Sequence, residues 1–326
     1  MKLALVGCGA AARKYYLPFL QKNKRIIEEL YFIDRNVNAA VAASEFVAAG
    51  KCFSDFKEVV DRVDGAIIAV PHSLHFEITL EFLRKGRHVL CEKPLSEKPE
   101  DILTLNRESG KHGGKLCVNN TRRAFPSFSK AKEMIDAGEI GEILSIRYME
   151  ANRFAWQSDT DFYVNPTVSD KGVLLDIGAH AIDLICWWLN KEPRLIGYAD
   201  DSCGGPESLV KLTAQSDNSQ VFLLLNRLLE LGSRFRISGT DGKLEGVLGE
   251  WKTLMLTKGN AESVLVTAKT QFKQFSDIAD SIINNFIQTI MGKAKPIVTG
   301  EDVFPSIHFI DLCYQARAQK QDTACT

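Results

Sequence analysis

The sequence shows no excess of either charge. Among its 326 residues, 40 are lysine or arginine and 41 are aspartate or glutamate, which gives a formal net charge of −1. Such a balance lacks the electrostatic signature of a protein that binds nucleic acid or an anionic membrane. We therefore expect a small-molecule partner, with no nucleic acid and no membrane.

Long, uniform hydrophobic runs are also missing. The longest apolar stretch, 173–189, contains Asp176, His180 and Asp183, which is unlike a membrane span. The N-terminus passes directly into a strand-like run, without the cationic segment, apolar stretch and cleavage site of a signal peptide. These features predict a cytoplasmic protein.

The eight cysteines form no Cys-x-x-Cys pair, and several lie inside apolar runs. This pattern indicates reduced, mostly buried thiols rather than a disulfide framework or a zinc site. The chain also has no internal repeat, low-complexity tract or long linker.

Residues 1–120 alternate short apolar runs with helical segments, and we predict that they form one domain. Short apolar strands that alternate with helices indicate a parallel sheet covered on both faces, as in a doubly wound Rossmann domain. The predicted strands are Leu3–Val6, Leu30–Ile33, Gly65–Val70, His88–Cys91 and Lys115–Val118.

Residues 121–326 have a different periodicity, and we predict a second, α+β domain for substrate binding and oligomerisation. Apolar and polar residues alternate along the strand at 144–149, and turn residues separate the later strand candidates, which favours an open, mostly antiparallel sheet with helices on one face. Beyond a strand near Leu144–Tyr148, the predicted strands are Leu209–Ala214, Gln220–Asn226, Arg234–Ser238, Thr253–Thr257 and Ser263–Thr267.

One of these strands is apolar on both faces. Val221, Leu223 and Leu225 point to one side, and Phe222 and Leu224 point to the other. Since an apolar outer face is usually an interface, we predict a homodimer or homotetramer that forms through this sheet.

The first motif with chemical content is Gly7-Cys8-Gly9-Ala10-Ala11-Ala12, between the first strand and a helical stretch. Gly7 permits a tight turn, and Gly9 lets the backbone approach a pyrophosphate. Ala12 takes the small third position where helix and strand pack closely. The helix N-terminus then supplies free N–H groups for the phosphates, and Ala10 and Ala11 are counted among the cofactor-binding residues. The pattern predicts a dinucleotide site, and the alternative is a tight strand–helix turn with no ligand.

Asp34 ends the second predicted strand. A carboxylate at this position accepts hydrogen bonds from both adenosine ribose hydroxyls, which favours NAD. Arg35 follows at once and could pair with a 2′-phosphate, so NADP stays open as the cofactor. The alternative role for Asp34 is that of an exposed turn residue or helix N-cap.

Two further loops follow predicted parallel strands, where ligands bind in this architecture. Pro71 is placed beside the nicotinamide ribose, and His75 is either a cofactor contact or a helix-cap residue. Lys93 follows the fourth strand. Its ammonium could hold a substrate oxygen as hydride leaves the carbon, or it could be an ordinary surface lysine before a turn proline.

Asp176, His180 and Asp183 fall at i, i+4 and i+7 of a predicted helix, so they share one face. Titratable groups on an apolar helix are costly to bury unless they are used or paired. An aspartate beside a histidine makes a proton acceptor near neutral pH. The alternatives are a buried Asp–His hydrogen bond that joins domains and a metal site, for which three side chains are a thin ligand set. We expect no metal.

The sequence resembles the Gfo/Idh/MocA oxidoreductases, a family named for glucose–fructose oxidoreductase and inositol dehydrogenase. The resemblance runs nearly end to end. It rests on the glycine motif, on Cys91-Glu92-Lys93-Pro94-Leu95, on 122–126, on 138–142, on 176–183 and on 299–302.

The resemblance implies hydride transfer between a nicotinamide and a carbinol carbon of a sugar, cyclitol or related polyol. By motif match, Lys93 and His180 are the catalytic pair. Asp176 lines the site and polarises the hydroxyl or the histidine, while Glu92 lies near the nicotinamide ribose. The resemblance also raises the expectation that the Lys93–Pro94 peptide bond is cis.

Two positions depart from the family pattern. His72 stands where asparagine is common, and Lys171-Gly172 stands where two glycines are common. Lys171 either recognises an anionic group on the substrate or is solvated. The remaining substrate candidates are arginines and aromatics that suit sugars carrying an anionic group, namely Arg122, Arg153, Trp156 and Tyr163. For each of them taken singly, a surface or packing residue is the favoured alternative.

Two other classes of function remain open. One is a non-redox, glycosidase-like enzyme that keeps NAD bound and uses it transiently. The other is a cofactor-binding regulator without turnover. Lys93, Asp176 and His180 argue against the regulator, because a pure binder has no need of them.

Overall fold

A computed structural model describes residues 1–153, 171–202 and 205–324, with side chains described as far as residue 318. The described chain divides into two structural units. Residues 1–121 and 272–304 form the first unit, and the described parts of 122–271 and 305–324 form the second.

The first unit is built on a six-stranded parallel sheet in the order β3-β2-β1-β4-β5-β6. Its central strands are buried along most of their length because helices follow them in the chain, as expected for a Rossmann sheet. The strands are β1 Lys2–Val6, β2 Glu29–Ile33, β3 Lys51–Phe53, β4 Gly65–Ile68, β5 His88–Glu92 and β6 Leu116–Asn119.

The helices of the first unit connect successive strands, and a last helix comes from later in the chain. They are α1 Leu17–Asn23, preceded by a π-helical turn at Ala12–Tyr16, then α2 Val37–Val47, α3 His75–Arg84, α4 Pro99–His112 and α8 Phe275–Ile290.

Residues 272–304 return to the first unit for two physical reasons. A Cβ at Gly65 would lie 2.7 Å from Ile290 Cδ1, so the glycine lets α8 pack closely on β4. In addition, Val118 N donates to Val298 O at 3.0 Å, which pairs backbone beside β6.

The second unit contains an eight-stranded sheet in the order β14-β13-β12-β11-β7-β10-β9-β8. All neighbours are antiparallel except β7 and β10. The strands are β7 Ile143–Ala151, β8 Arg194–Asp200, β9 Leu209–Ser216, β10 Ser219–Asn226, β11 Gly232–Gly239, β12 Gly242–Val247, β13 Thr253–Lys258 and β14 Val264–Thr267.

Among the described residues, four helices belong wholly or partly to the second unit: α5 Pro126–Asp136, α6 Val173–Asp176, α7 Gly178–Leu189 and the C-terminal part of α9 Gly300–Ala324. Phe128 of α5, Trp188 of α7 and Phe235 of β11 form an aromatic cluster with ring centroids 5.0–6.0 Å apart. Such large buried rings dominate the packing of helices on a sheet.

The two faces of strand β10 differ in burial, as the alternating directions of its side chains predict. Val221, Leu223 and Leu225 are buried, whereas Phe222 and Leu224 are only half-buried on the opposite face. The second face of this strand therefore keeps apolar surface outside the core.

Within the described ranges, six cysteines are free thiols and five of them are buried. In the same ranges, every helix is too short or too polar to cross a bilayer.

Candidate functional site

The glycine loop after β1 is shaped by contacts that only glycine permits at its first position. Gly7 has a φ of +93°, and a Cβ there would lie 2.3 Å from Ala69 O. Its N–H donates to Ile33 O at 2.8 Å, which holds the turn against β2. Glycine is thus needed at position 7 because the protein's own backbone passes too close for a side chain.

Gly9 is different, because a Cβ at this position would meet no protein atom within 4 Å. Protein packing does not require this glycine, whereas close approach of a pyrophosphate does. The helical stretch that leads through the π-helical turn into α1 begins at Ala10 and Ala11. The first N–H groups of a helix lack partners within it. The loop fits a dinucleotide.

Asp34 follows β2 and lies beside the same loop. Its Oδ2 accepts from Cys8 N at 2.9 Å, and its Oδ1 accepts from Asn36 N at 2.9 Å. These contacts fix the carboxylate, and each oxygen keeps a second lone pair for a ribose hydroxyl. The neighbouring Arg35 is exposed.

Glu92, at the end of β5, belongs to a polar cluster that sequence reasoning missed. Tyr16 Oη donates to Glu92 Oε1 at 2.6 Å, and Asn119 Nδ2 donates to the same oxygen at 2.8 Å and to Tyr16 Oη at 2.7 Å. Burial raises the pKa of Glu92, although these hydrogen bonds and Lys93 oppose the shift. Burial likewise raises the pKa of Tyr16.

Lys93 is half-buried and follows Glu92 directly, with its backbone N–H 3.3 Å from Glu92 Oε2. The Lys93–Pro94 bond is cis, which confirms the expectation drawn from the family resemblance.

His75 connects two loops at this edge of the sheet. Its Nδ1 lies 2.7 Å from Pro94 O, and its Nε2 lies 2.9 Å from Val70 O. Burial lowers the pKa of His75, and the two carbonyl contacts oppose that shift. Both ring nitrogens contact backbone, so the ring supports the loop that carries Lys93. Pro71, which follows Val70 in the loop after β4, is exposed.

The second unit holds the Asp–His segment. The expected single helix is two, α6 and α7, which meet at Ile177. Ile177 nevertheless has helical angles, φ −84° and ψ −38°, and Ala181 N donates to its carbonyl at 3.1 Å. Asp176 and His180 therefore stay about one turn apart, as the spacing predicts.

Asp176 has a partner that sequence reasoning missed. Arg227 Nη2 forms an ion pair with Asp176 Oδ2. Arg227 is 8% exposed and follows β10 directly. The ion pair with this buried guanidinium fixes the orientation of the Asp176 carboxylate.

Asp183, the third polar group on the predicted stripe, has a structural partner instead. Arg123 Nε and Nη2 donate to its two carboxylate oxygens at 2.8 and 2.7 Å, and Asp183 is 0% exposed. This bidentate pair ties α7 to the turn before α5.

The predicted substrate residues have different surroundings. Arg122 forms a bidentate pair with Glu150 at 2.6 Å for each bond and also contacts Tyr148, so its guanidinium is engaged within the second unit. Arg153 is exposed. The Lys171 ammonium lies 5.6 Å from the centre of the Tyr314 ring. Trp156 and Tyr163 lie outside the described residues.

Comparison with protein families gives matches to both halves of the chain. The NAD-binding Rossmann-fold domain of the GFO_IDH_MocA oxidoreductase family matches residues 1–120. The C-terminal alpha/beta domain of the same family matches residues 132–325.

Individual relatives are remote in sequence. A glucose-6-phosphate 3-dehydrogenase of Bacillus subtilis is 27% identical over 58% of the chain, and the chain spans about half of that enzyme, 53%. A 1,5-anhydro-D-fructose reductase of Ensifer adhaerens is 25% identical, with 91% of the chain and 90% of the enzyme aligned. A crystal structure of an oxidoreductase from Thermotoga maritima has a TM-score of 0.82 at 24% identity and covers 96% of this chain and 95% of that one, which shows a shared fold.

Proposed function

The chain belongs to the Gfo/Idh/MocA family of oxidoreductases, and from that premise we propose that it transfers a hydride between NAD and a carbinol carbon of a small sugar or cyclitol. In this proposal it is a dehydrogenase or reductase that acts on CH–OH groups.

One observation carries the proposal. The glycine loop and Lys93 follow β1 and β5, which flank β4 in the same parallel sheet, so both lie at the carboxyl edge of the first unit. This is the edge at which such sheets bind ligands. A lysine ammonium at the same sheet edge as a dinucleotide loop suits chemistry at the cofactor better than binding alone.

For the cofactor, we propose NAD as the preferred form. Gly7, Gly9, Ala10 and Ala11 would hold the pyrophosphate, with Asp34 at the adenosine ribose. A 2′-phosphate would meet the Asp34 carboxylate, which backbone N–H groups hold in place. Charge repulsion therefore disfavours NADP, and the exposed Arg35 is the residue that would offset it.

Around the nicotinamide, we assign Pro71 and Glu92 to the neighbourhood of its ribose and His75 to the support of the Lys93 loop. When bound, NAD⁺ takes up the hydride that leaves the substrate carbon.

Side chains of the protein remove the hydroxyl proton and polarise the substrate oxygen. As the C–H electron pair leaves, the hydroxyl proton passes to His180 and the C–O bond becomes a carbonyl. Histidine suits this role because it titrates near neutral pH. Asp176, paired with Arg227, orients His180 or the hydroxyl, and the Lys93 ammonium polarises the oxygen.

The substrate class rests on the relatives. One is named for glucose 6-phosphate and another for 1,5-anhydro-D-fructose, both small polyols. Lys171 and Arg153 are the cations proposed to contact an anionic substituent. Trp156 and Tyr163 remain stacking candidates, whereas the Glu150 pair limits Arg122 to an indirect part.

The proposal is tested with a panel of sugars, sugar phosphates and cyclitols, followed by the absorbance of NADH or NADPH. At least one polyol should produce one NADH per product formed. Product formation without net reduction of NAD would instead identify a non-redox enzyme, and cofactor binding without any product would identify a regulator.

For assembly, we propose a homodimer through the outer face of the eight-stranded sheet. A groove of about 910 Å³ lies on this face, with Phe222, Leu224 and Met255 among its lining residues. Arg236 and Glu245 form an exposed ion pair at 2.6 Å in the same lining. Apolar surface with both charges beside it suits a second copy of the same chain, because a two-fold interface must be self-complementary.

Light scattering with sedimentation tests the assembly. Wild type should be dimeric or tetrameric, and Leu224→Asp should dissociate it because a carboxylate would be buried in an apolar interface. A matched Asn38→Asp change, at an exposed position on helix α2 of the first unit, adds the same charge outside this sheet and is expected to leave the assembly intact. A wild-type monomer at all concentrations would overturn the proposal.

A further inference from the structure

A single buried residue, Glu207, receives the first backbone N–H groups of the Asp–His segment. Its Oε1 accepts from Gly172 N at 3.0 Å and from Leu174 N at 2.9 Å. Its own carbonyl accepts from Val173 N at 2.9 Å. Three consecutive N–H groups at the start of α6 thus end on one residue that is 1% exposed.

The remaining capacity of this carboxylate is used by α9. Tyr314 Oη donates to Glu207 Oε1 at 3.0 Å, and Arg317 Nη1 lies 3.2 Å from Oε2. Burial raises the pKa of Glu207, while the backbone N–H groups, Tyr314 and Arg317 oppose the shift. A buried carboxylate is costly without partners, and here four donors compensate for its burial.

Gly172 shows how tightly the two segments meet. A Cβ at this position would lie 2.0 Å from Glu207 O and 2.6 Å from Glu207 N. Any side chain at this position would meet the backbone of Glu207, so the close approach requires glycine. Because the clashing atoms are backbone, neither segment can yield by a side-chain rotation.

The residue after Glu207 supports the partner of Asp176. Ser208 O accepts from Arg227 N at 3.0 Å, and Arg227 is ion-paired with Asp176. Asp201 Oδ1 in turn accepts from Ser208 N at 2.8 Å. The contacts form a closed ring that runs from Glu207 through α6 to Asp176, then to Arg227 and back to Ser208.

We propose that Glu207 is a positioning residue for the reaction, since it sets the backbone from which Asp176 and His180 project. The proposal rests on the proposed function for what those two side chains do. Glu207 acts through α6 and its contact with the reaction is indirect. Asp176 N donates to Gly172 O at 3.1 Å, and Ile177 N donates to Val173 O at 2.9 Å. A shift of the backbone at 172–174 therefore moves Asp176 and Ile177.

The test uses a graded set of full-length variants. Glu207→Ala removes the acceptor, and Glu207→Gln keeps a carbonyl oxygen for the two amides. Gly172→Ala forces the same segments apart from the other side. Ser219→Ala is the matched control, because it removes a 2.6 Å hydrogen bond to Ile143 O from a buried serine at the opposite end of β10 from Arg227.

Two readouts separate positioning from simple stability. The first is kcat on the substrate that wild type turns over, measured well below each variant's melting temperature. Glu207→Ala and Gly172→Ala should lower kcat about 10- to 100-fold, since small misplacements have effects of this size, with the NAD dissociation constant unchanged. Glu207→Gln should stay within about threefold of wild type because its acceptor remains.

The second readout is hydrogen exchange of the backbone amides at 172–183, which needs no substrate. Exchange should rise in Glu207→Ala and Gly172→Ala and stay at the wild-type level in Ser219→Ala. If Glu207→Ala fails to fold, Gly172→Ala and Glu207→Gln carry both readouts.

The inference is overturned if 172–183 exchange as in wild type, or if Glu207→Ala keeps full kcat while it loses stability as Ser219→Ala does. A wild-type enzyme that turns over no polyol would instead count against the proposed function. The exchange measurement would still test whether Glu207 holds the backbone of 172–183.

Discussion

The Arg123–Asp183 pair offers a quantitative prediction about which carboxylate of α7 supports the fold. Asp183 is 0% exposed, and its two oxygens receive bonds of 2.8 and 2.7 Å from Arg123, which is 8% exposed. Asp183→Asn keeps the shape of the side chain and removes its charge, so the buried guanidinium loses its counter-ion. Breaking one side of a buried ion pair costs about 3–5 kcal/mol, and we expect the lower end because asparagine retains one acceptor.

The assay is urea unfolding of wild type, Asp183→Asn, Arg123→Met and the double variant Asp183→Leu/Arg123→Met. The two single variants should each lose about 3 kcal/mol or more of unfolding free energy, whereas the double variant should recover most of that loss, because no unpaired charge is left inside. The kcat of folded Asp183→Asn should stay close to wild type.

Two results would refute this reasoning. Single variants within about 1 kcal/mol of wild type would show that the pair contributes little, as exposed pairs do. A loss of kcat by about 10²-fold or more at unchanged stability would place Asp183 in the chemistry.

Three further predictions concern the first unit. Gly7→Ala should lower the free energy of unfolding by at least about 2 kcal/mol in thermal or urea melts, because its Cβ would lie 2.3 Å from Ala69 O at a φ of +93°; wild-type stability would contradict the tight turn. Tyr16→Phe should cost about 1–2 kcal/mol and lower kcat more than NAD affinity, since it removes the hydroxyl that holds Glu92; kinetics like those of wild type would exclude this role. Because burial raises the pKa of Glu92 above 4.5, the native state binds its proton more tightly, so stability from this group falls as pH rises from 4.5 through the raised pKa. Wild type should therefore lose stability relative to Glu92→Gln over that window in urea melts, and parallel pH curves would contradict the shift.

The fold could be predicted from the sequence where the local residue pattern and the tertiary contacts agree. Strands β1, β4, β5 and β10 contain continuous apolar runs, so their positions follow from the sequence. Strand β8 was missed because Gly197 and a register shift near Leu195 interrupt its pattern. The three-residue β3 and the glycine-flanked β12 carried too little signal.

Residues 272–304 show a second limit of prediction from sequence periodicity. Helix α8 has a clear apolar face, but the strand on which it packs, β4, lies about two hundred residues earlier in the chain. Periodicity reports that a face is buried and carries no information about its partner. The assignment of α8 to the first unit therefore required the structure.

The candidate site divides in the same way. Asp34 and Lys93 could be predicted as site residues because ligand-binding side chains follow parallel strands in this architecture, and their roles stay predictions. Tyr16 and Arg227 were missed because their partners lie 76 and 51 residues away in the chain. Arg122 looked like a substrate residue because its partner Glu150 is 28 residues distant, beyond any local pattern.

The central claim is tested most directly by following deuterium from a polyol labelled at the reacting carbon to NAD⁺. Wild type should produce NADH that carries one deuterium per carbonyl product. His180→Ala and Lys93→Ala should each lower that rate by about 10²–10⁴-fold while NAD still binds. Product formed by wild type without label in the nicotinamide, or His180→Ala and Lys93→Ala both at full rate, would contradict the account.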